Sequence, residues 1–185
     1  MDQSDEDLAA ACQAGDESAF EQLVTRHLKV VYSFATRNAR QNADDIVQET
    51  FLKAWQHIRR YSSERAAFKT WLMHITRTTT IDFLRRKRSI PMSEFETVEG
   101  DNVLEDSLTD NEPLADELFV RSEDAETLEM ALQQLPLLQR EVIVLRYGSG
   151  LIFEEIAQIV EASANTIKTR HRRGIVALRK IMNRK

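Results

Sequence analysis

Phe153-Glu154-Glu155-Ile156-Ala157-Gln158-Ile159-Val160, then Glu161-Ala162-Ser163, then Ala164-Asn165-Thr166-Ile167-Lys168-Thr169-Arg170-His171-Arg172-Arg173-Gly174, decides how this chain is read. The first eight residues make a short amphipathic helix with Ile156, Ala157 and Val160 turned inward. Three residues then form a tight connection. Ser163 suits the N-cap of the next helix, because its hydroxyl oxygen accepts an N–H that the first turn leaves unpaired. Ile167, His171, Ile175 and Leu178 follow at helical spacing for packing, while Asn165, Lys168, Thr169, Arg172 and Arg173 fall on the opposite side. A helix lying in a DNA major groove needs this division, apolar behind and hydrogen-bond donors in front. The stretch reads as a helix-turn-helix; the plainer alternative is a trihelical domain with a basic tail. His171 sits awkwardly on the inner side and reads as a half-buried packing residue.

Charge supports the DNA reading once it is taken locally. The 185 residues carry 25 Lys plus Arg against 30 Asp plus Glu, a net charge of −5, which alone argues against a polyanion partner. Yet Glu94–Glu126 holds 13 acids and one base, leaving 17 acids and 24 bases elsewhere, a remainder of +7. Ser163–Lys185 has 8 bases and no acid, and Phe68–Ile90 has 6 bases and one acid, Asp82. Two basic segments flanking an acidic one suggest polyanion binding better than the average does.

Upstream the chain reads as helical almost throughout, with 5 Gly, 3 Pro and no clean strand alternation. After a plausible Asp16 cap, Phe20, Leu23, Val24, His27, Leu28, Val31, Tyr32 and Ala35 repeat at helical spacing. A second helix, from about Asn42 to Arg60, is expected to bury Val47, Phe51, Ala54, Trp55 and Ile58. Its other face would present Asp45, Gln48, Glu49, Leu52 and Gln56, suited to docking on a basic protein surface. A third, from about Ala66, buries Phe68, Trp71, Leu72, Ile75, Thr79 and Phe83, leaving Lys69, His74, Arg77, Thr78, Arg85 and Arg86 outward. The fold class is all-α: a helical domain over 1–90, a flexible acidic linker over 91–121, and the helix-turn-helix domain over 122–185. Such a tether would compete for the basic faces and suppress DNA binding by the free protein.

Asp44-Asp45-Ile46-Val47-Gln48-Glu49-Thr50-Phe51-Leu52-Lys53-Ala54-Trp55 resembles the polymerase-binding helix of bacterial sigma factors of the extracytoplasmic-function (ECF) type. Phe68-Lys69-Thr70-Trp71-Leu72 with Asp82-Phe83-Leu84-Arg85-Arg86 is similar to that family's −10-reading helix. Ala131-Leu132-Gln133-Gln134-Leu135-Pro136, Arg140-Glu141-Val142, Glu155-Ile156-Ala157 and Thr166-Ile167-Lys168-Thr169-Arg170 resemble its −35-reading domain. The resemblance covers nearly all of the chain except the linker.

It implies a promoter-specificity subunit. Asp44, Asp45, Gln48, Glu49, Leu52 and Lys53 would meet core RNA polymerase at the clamp of the β′ subunit, with further contacts to β. The 61–65 loop, with Tyr61, Ser62 and Ser63, would hold a flipped-out base, and Lys69, His74, Arg77, Thr78, Arg85 and Arg86 would touch −10 DNA. Asn165, Thr166, Lys168, Thr169, Arg172 and Arg173 would read the −35 element, with Arg170 a phosphate or packing contact. An anti-sigma factor, often membrane-anchored in this family, is implied as a partner. Three positions depart from the family pattern: Thr78 for a frequent Asn, Glu161 for a frequent Gly, and His171 for an aliphatic residue.

No glycine-rich phosphate loop, nucleophile–base pair or metal cluster is legible, so no enzyme, cofactor, metal or small-molecule substrate is expected. Cys12 is the only cysteine, and the acidic N-terminus is unlike a signal peptide, so a bacterial cytoplasmic location is expected. The main rival is a stand-alone helix-turn-helix regulator binding duplex DNA as a dimer. It lacks an evident dimerisation helix here and leaves the Asp45–Gln56 face without a purpose. A more distant rival is a protein-interaction adaptor whose basic helices are merely solvated.

Overall fold

Local caps start the first helices. Ser4 Oγ accepts the Asp7 N–H at 3.1 Å while Asp7 Oδ2 accepts the Ser4 N–H at 3.2 Å, a reciprocal cap that opens α1 (Asp5–Gln13). The Asp16 carboxylate accepts from the N–H groups of Ser18 and Ala19 and opens α2 (Glu17–Ala39), as expected. A 3-10 turn leads into α3 (Ala43–His57), another ends it, and α4 (Phe68–Arg88) follows a short loop. This computed structural model describes residues 3–88 and 125–183. The segment read as an acidic linker, 91–121, lies outside the described residues.

The second stretch holds α5 (Ala125–Gln133), α6 (Leu137–Ile143), α7 (Phe153–Val160) and α8 (Ala164–Met182). Pro136 opens α6 and Ser163 caps α8 by accepting the Thr166 N–H at 3.1 Å. A widened π turn, Val144–Gly148, continues α6. No strand occurs among the described residues, and the protein is all-α.

Two sequence expectations shift. The expected inner stripe of α3 is rotated: Ala43, Ile46, Thr50 and Ala54 are buried, Val47 and Phe51 half-buried, and Trp55 is 38% exposed. Small residues let α3 lie close to α2 and α4, so the large rings go to the rim, where Trp55 rests on Phe20 with centroids 5.0 Å apart. On α2, likewise, Leu28 and Tyr32 lie outside, while Leu23, His27, Val31, Phe34 and Ala35 form the buried row.

The two helical stretches share one core. Leu8, Leu23, Phe34, Phe68, Leu72 and Met73 belong to the same buried cluster as Val142, Leu145, Leu151, Ile156, Ile159 and Ile167. α4 packs along α7, and α5 lies on α2, where Gln133 Nε2 donates to the Arg37 carbonyl at 2.8 Å.

Candidate polymerase and nucleic-acid interfaces

Three surfaces of different chemistry stand on this frame. On α3, Asp44, Asp45, Gln48 and Leu52 are exposed and Glu49 is half-buried. Lys53 bridges from Glu49 toward α4. Its Nζ lies 3.2 Å from Thr79 Oγ1, 3.6 Å from Glu49 Oε1 and 3.8 Å from Asp82 Oδ2, so it holds α3 to α4. Beside this face, Leu28, Lys29 and Tyr32 of α2 line a groove with Asp44, Val47 and Gln48. Leu28 and Tyr32 repeat at the same helical spacing as the buried row of α2, so the sequence pattern alone does not mark them as an exposed apolar wall.

The loop after α3 is pinned from α1, a helix for which the sequence reading has no counterpart. Gln13 Nε2 donates to the carbonyl oxygens of Ile58 and Tyr61, each at 2.9 Å, and Glu6 Oε1 accepts the Phe68 N–H at 3.2 Å. The loop is thus tied at both ends. Ser63 is exposed and Ser62 half-buried, but Tyr61, expected to contact DNA, is buried against Phe68 and Trp71 with its hydroxyl donating to the Ala66 carbonyl. Burial, with Glu6 and Asp5 nearby, pushes the Tyr61 phenol up to about 12. Its side chain supports the loop from below.

Along α4, Arg85 and Arg86 are exposed, and Lys69, His74 and Thr78 are half-buried. The Thr78 hydroxyl donates back to the carbonyls of His74 and Ile75 on its own helix. Arg77, expected outward, is only 8% exposed: its Nε donates to Glu141 Oε1 at 2.6 Å. Burial pushes the Glu141 carboxyl up, opposed by the charges of Arg77 and Arg170.

The helix-turn-helix is built as its sequence suggests. Asn165, Lys168, Arg172 and Arg173 are exposed along one side of α8, Thr166 and Thr169 are half-buried, and Arg170 is buried. His171 is half-buried, its Nε2 2.9 Å from Tyr147 Oη and its ring edge-on to Phe153. The turn passes through Glu161 at φ 57°, ψ 45°, the left-handed conformation that glycine takes without strain. Among the described residues no three His, Cys, Asp or Glu side chains stand together as a metal site, and no helix is long and apolar enough to cross a membrane.

The chain thus carries a helix-turn-helix with a basic outer face, packed beside a second helical unit. Residues 23–90 match the Sigma-70 region 2 family and residues 125–178 match Sigma-70, region 4. The ECF RNA polymerase sigma factor SigW of Bacillus subtilis (strain 168) is 33% identical over 171 residues, covering 90% of each chain. The ECF RNA polymerase sigma-E factor of Escherichia coli (strain K12) is 30% identical over 169 residues, 90% of this chain and 88% of that one. The chain belongs to the ECF family of RNA polymerase sigma factors, which direct transcription initiation and are not enzymes. Its fold is that of CnrH in complex with the cytosolic domain of CnrY (TM-score 0.69, 24% identity, 99% of each chain). The sigma factor RpoE in complex with the anti-sigma factor NepR, from Bartonella quintana, is also similar (TM-score 0.67, 26% identity, 89% of this chain and 96% of that one).

Proposed function

We propose that this sigma factor binds core RNA polymerase through the outer face of α3, reads −35 DNA with α8, and opens −10 DNA with the 61–65 loop and α4. Asp44, Asp45, Gln48, Glu49 and Leu52 meet the polymerase clamp. Ser62 and Ser63 hold the unstacked base over the Tyr61 floor, Lys69, His74, Thr78, Arg85 and Arg86 face the upstream edge of the opened DNA, and Arg77 supports that face from beneath through its buried pair with Glu141. Asn165, Lys168, Thr169, Arg172 and Arg173 read the −35 bases, with Thr166 beside them. Residues 1–90 and 122–185 act as two working units joined by 91–121, inside the bacterial cytoplasm. The supporting observation is the separation of chemistries: an acidic, polar face on α3 and a basic, donor-rich one on α8, carried by different helical units.

The division of labour has a physical reason. Duplex bases are read in the major groove by Arg and Lys donors, whereas an unstacked base costs a few kcal/mol that a pocket must return. An anti-sigma partner is also proposed, supported by the similar RpoE chain, which was solved with one.

The test is reconstitution with core RNA polymerase followed by genome-wide mapping of transcript starts. Starts sharing one −35/−10 pair are expected; failure to bind core, or starts without a shared pair, refutes the proposal. In the same assay Gln48→Ala with Glu49→Ala weakens core binding, whereas Arg172→Ala spares it and weakens promoter choice.

A further inference from the structure

The resemblance to sigma factors gives Lys53 to the polymerase, yet its ammonium is engaged between α3 and α4. Lys53 Nζ donates to Thr79 Oγ1 at 3.2 Å and lies between two carboxylates, 3.6 Å from Glu49 Oε1 on α3 and 3.8 Å from Asp82 Oδ2 on α4. Thr79 is fully buried, and a buried hydroxyl needs a partner. Its neighbours find one within their own helix: the hydroxyls of Thr76, Thr78 and Thr80 each donate to the carbonyl four residues earlier. Thr79 is met from α3 instead.

The placement of this ammonium matters more than its contribution to stability. The side chains of Lys53, Glu49 and Asp82 are 28%, 40% and 44% exposed, and ion pairs at such exposure stabilise a fold little. Both carboxylates also stand farther off than the roughly 2.7–2.9 Å of a full charge-assisted bond, so the ammonium is divided between them and can close on either. Glu49 belongs to the face proposed to meet the clamp. Asp82 opens the stretch that carries Arg85 and Arg86. The Arg86 guanidinium carbon lies 5.9 Å from the centroid of the Phe83 ring, and Phe83 and Leu84 pack against the buried Ala35, Ala39, Ala43 and Ile46. What fixes residue 82 therefore bears on the placement of Arg86.

We propose that Lys53 is a positioning residue that couples polymerase docking on α3 to promoter opening by α4. When a basic group of the clamp takes the Glu49 carboxylate, the Lys53 ammonium closes on Asp82 and fixes the end of α4 that carries Arg85 and Arg86. The proposal rests on the functional reading above and takes Lys53 out of the surface that touches polymerase. Its consequence is a split between two measurements: losing the Lys53 charge leaves Glu49 available to the clamp but leaves the DNA-facing end of α4 without its tie.

The test reconstitutes the full chain with core polymerase on a duplex promoter taken from the start mapping above, with 2-aminopurine in its −10 region to report unstacking. Lys53→Met keeps an unbranched side chain and removes the charge. Asp82→Asn leaves the contact between Lys53 and Thr79 in place, so it stays informative should Lys53→Met impair folding. Each variant, at unchanged helicity, should bind core as tightly as the parent and open the promoter about tenfold more slowly, the order expected for one charge-assisted contact. Lys53→Arg keeps the charge and should open at nearly the parental rate. The double variant should be no slower than the slower single one, because both substitutions remove the same contact. Parental opening rates in Asp82→Asn and in folded Lys53→Met overturn the coupling. So do losses that add in the double variant, or a Lys53→Met chain that loses core affinity as much as opening rate, which would make Lys53 a polymerase contact. These outcomes strike the coupling alone; a parent chain that binds no core, or opens no promoter with it, overturns the functional reading and the coupling together.

Discussion

Gly174→Ala probes how tightly the reading helix is set on its support. Gly174 lies where α8 crosses α6, and an added Cβ would fall 2.7 Å from Ile143 Cδ1, 3.3 Å from Gln139 Cβ and 3.4 Å from Ile143 Cγ1. Ile143 is fully buried at 0% exposure, so its methyl has little room to retreat. Replacing a mid-helix glycine gains about 0.8–1.0 kcal/mol of helix propensity. Overpacking a tight core costs about 1–3 kcal/mol. The steric side wins, and a net loss of about 1 kcal/mol is expected. Ile143→Val removes Cδ1 and alone costs about 0.5–1.5 kcal/mol. In the double variant the closest clash is gone and the propensity gain remains, so it should be no less stable than Ile143→Val alone. Urea unfolding followed by circular dichroism reads all four corners of the cycle, with a coupling of about 1–2 kcal/mol expected. Gly174→Ala more stable than the parent, or strict additivity across the cycle, would refute the close crossing.

Other expectations follow from single contacts. Glu161→Gly should stabilise the protein by about 0.5–1 kcal/mol, since relief of a left-handed non-glycine residue exceeds the added freedom of the unfolded chain; an unchanged urea midpoint would count against it. Gln13→Ala removes two hydrogen bonds to the segment 58–61 and should cost about 1–2 kcal/mol while raising amide exchange there; exchange unchanged at Tyr61 and its neighbours contradicts this. The folded Tyr61 phenol, pushed up to about 12, binds its proton more tightly than in the unfolded chain. Its contribution to stability is therefore complete below pH 10 and is lost as pH rises through about 12. The difference in phenolate absorbance between parent and Tyr61→Phe should titrate accordingly; a midpoint near 10 is inconsistent with the burial.

What was legible in the sequence was local. Asp16 and Ser163 signalled their helices because a cap is a contact across two or three residues. The front of α8 was legible because period and charge coincide there. The phase of α3 was not: hydrophobicity favoured Trp55, but close helix approach favoured Ala43 and Ala54, and an alanine carries little signal of its own. α1 escaped notice because only Leu8, Ala9 and Cys12 of its residues are buried, too few to make a period. Arg77 falls on the outward side of its helix by period alone, and nothing within either helix announces that Glu141, 64 residues away, is its partner.

The two ties from α1, Gln13 to the end of the 58–61 turn and Glu6 to the first turn of α4, have an engineering consequence. On the proposed function, promoter-opening strength becomes adjustable from a helix that supplies none of the proposed promoter contacts. Exchanging residues 5–13 for helices of graded stability would yield a series of otherwise identical transcription factors, ordered by how stiffly the 61–65 loop is mounted. An affinity tag fused ahead of Ser4 belongs to the same series, and two laboratories using different fusions would then be comparing two different promoter openers.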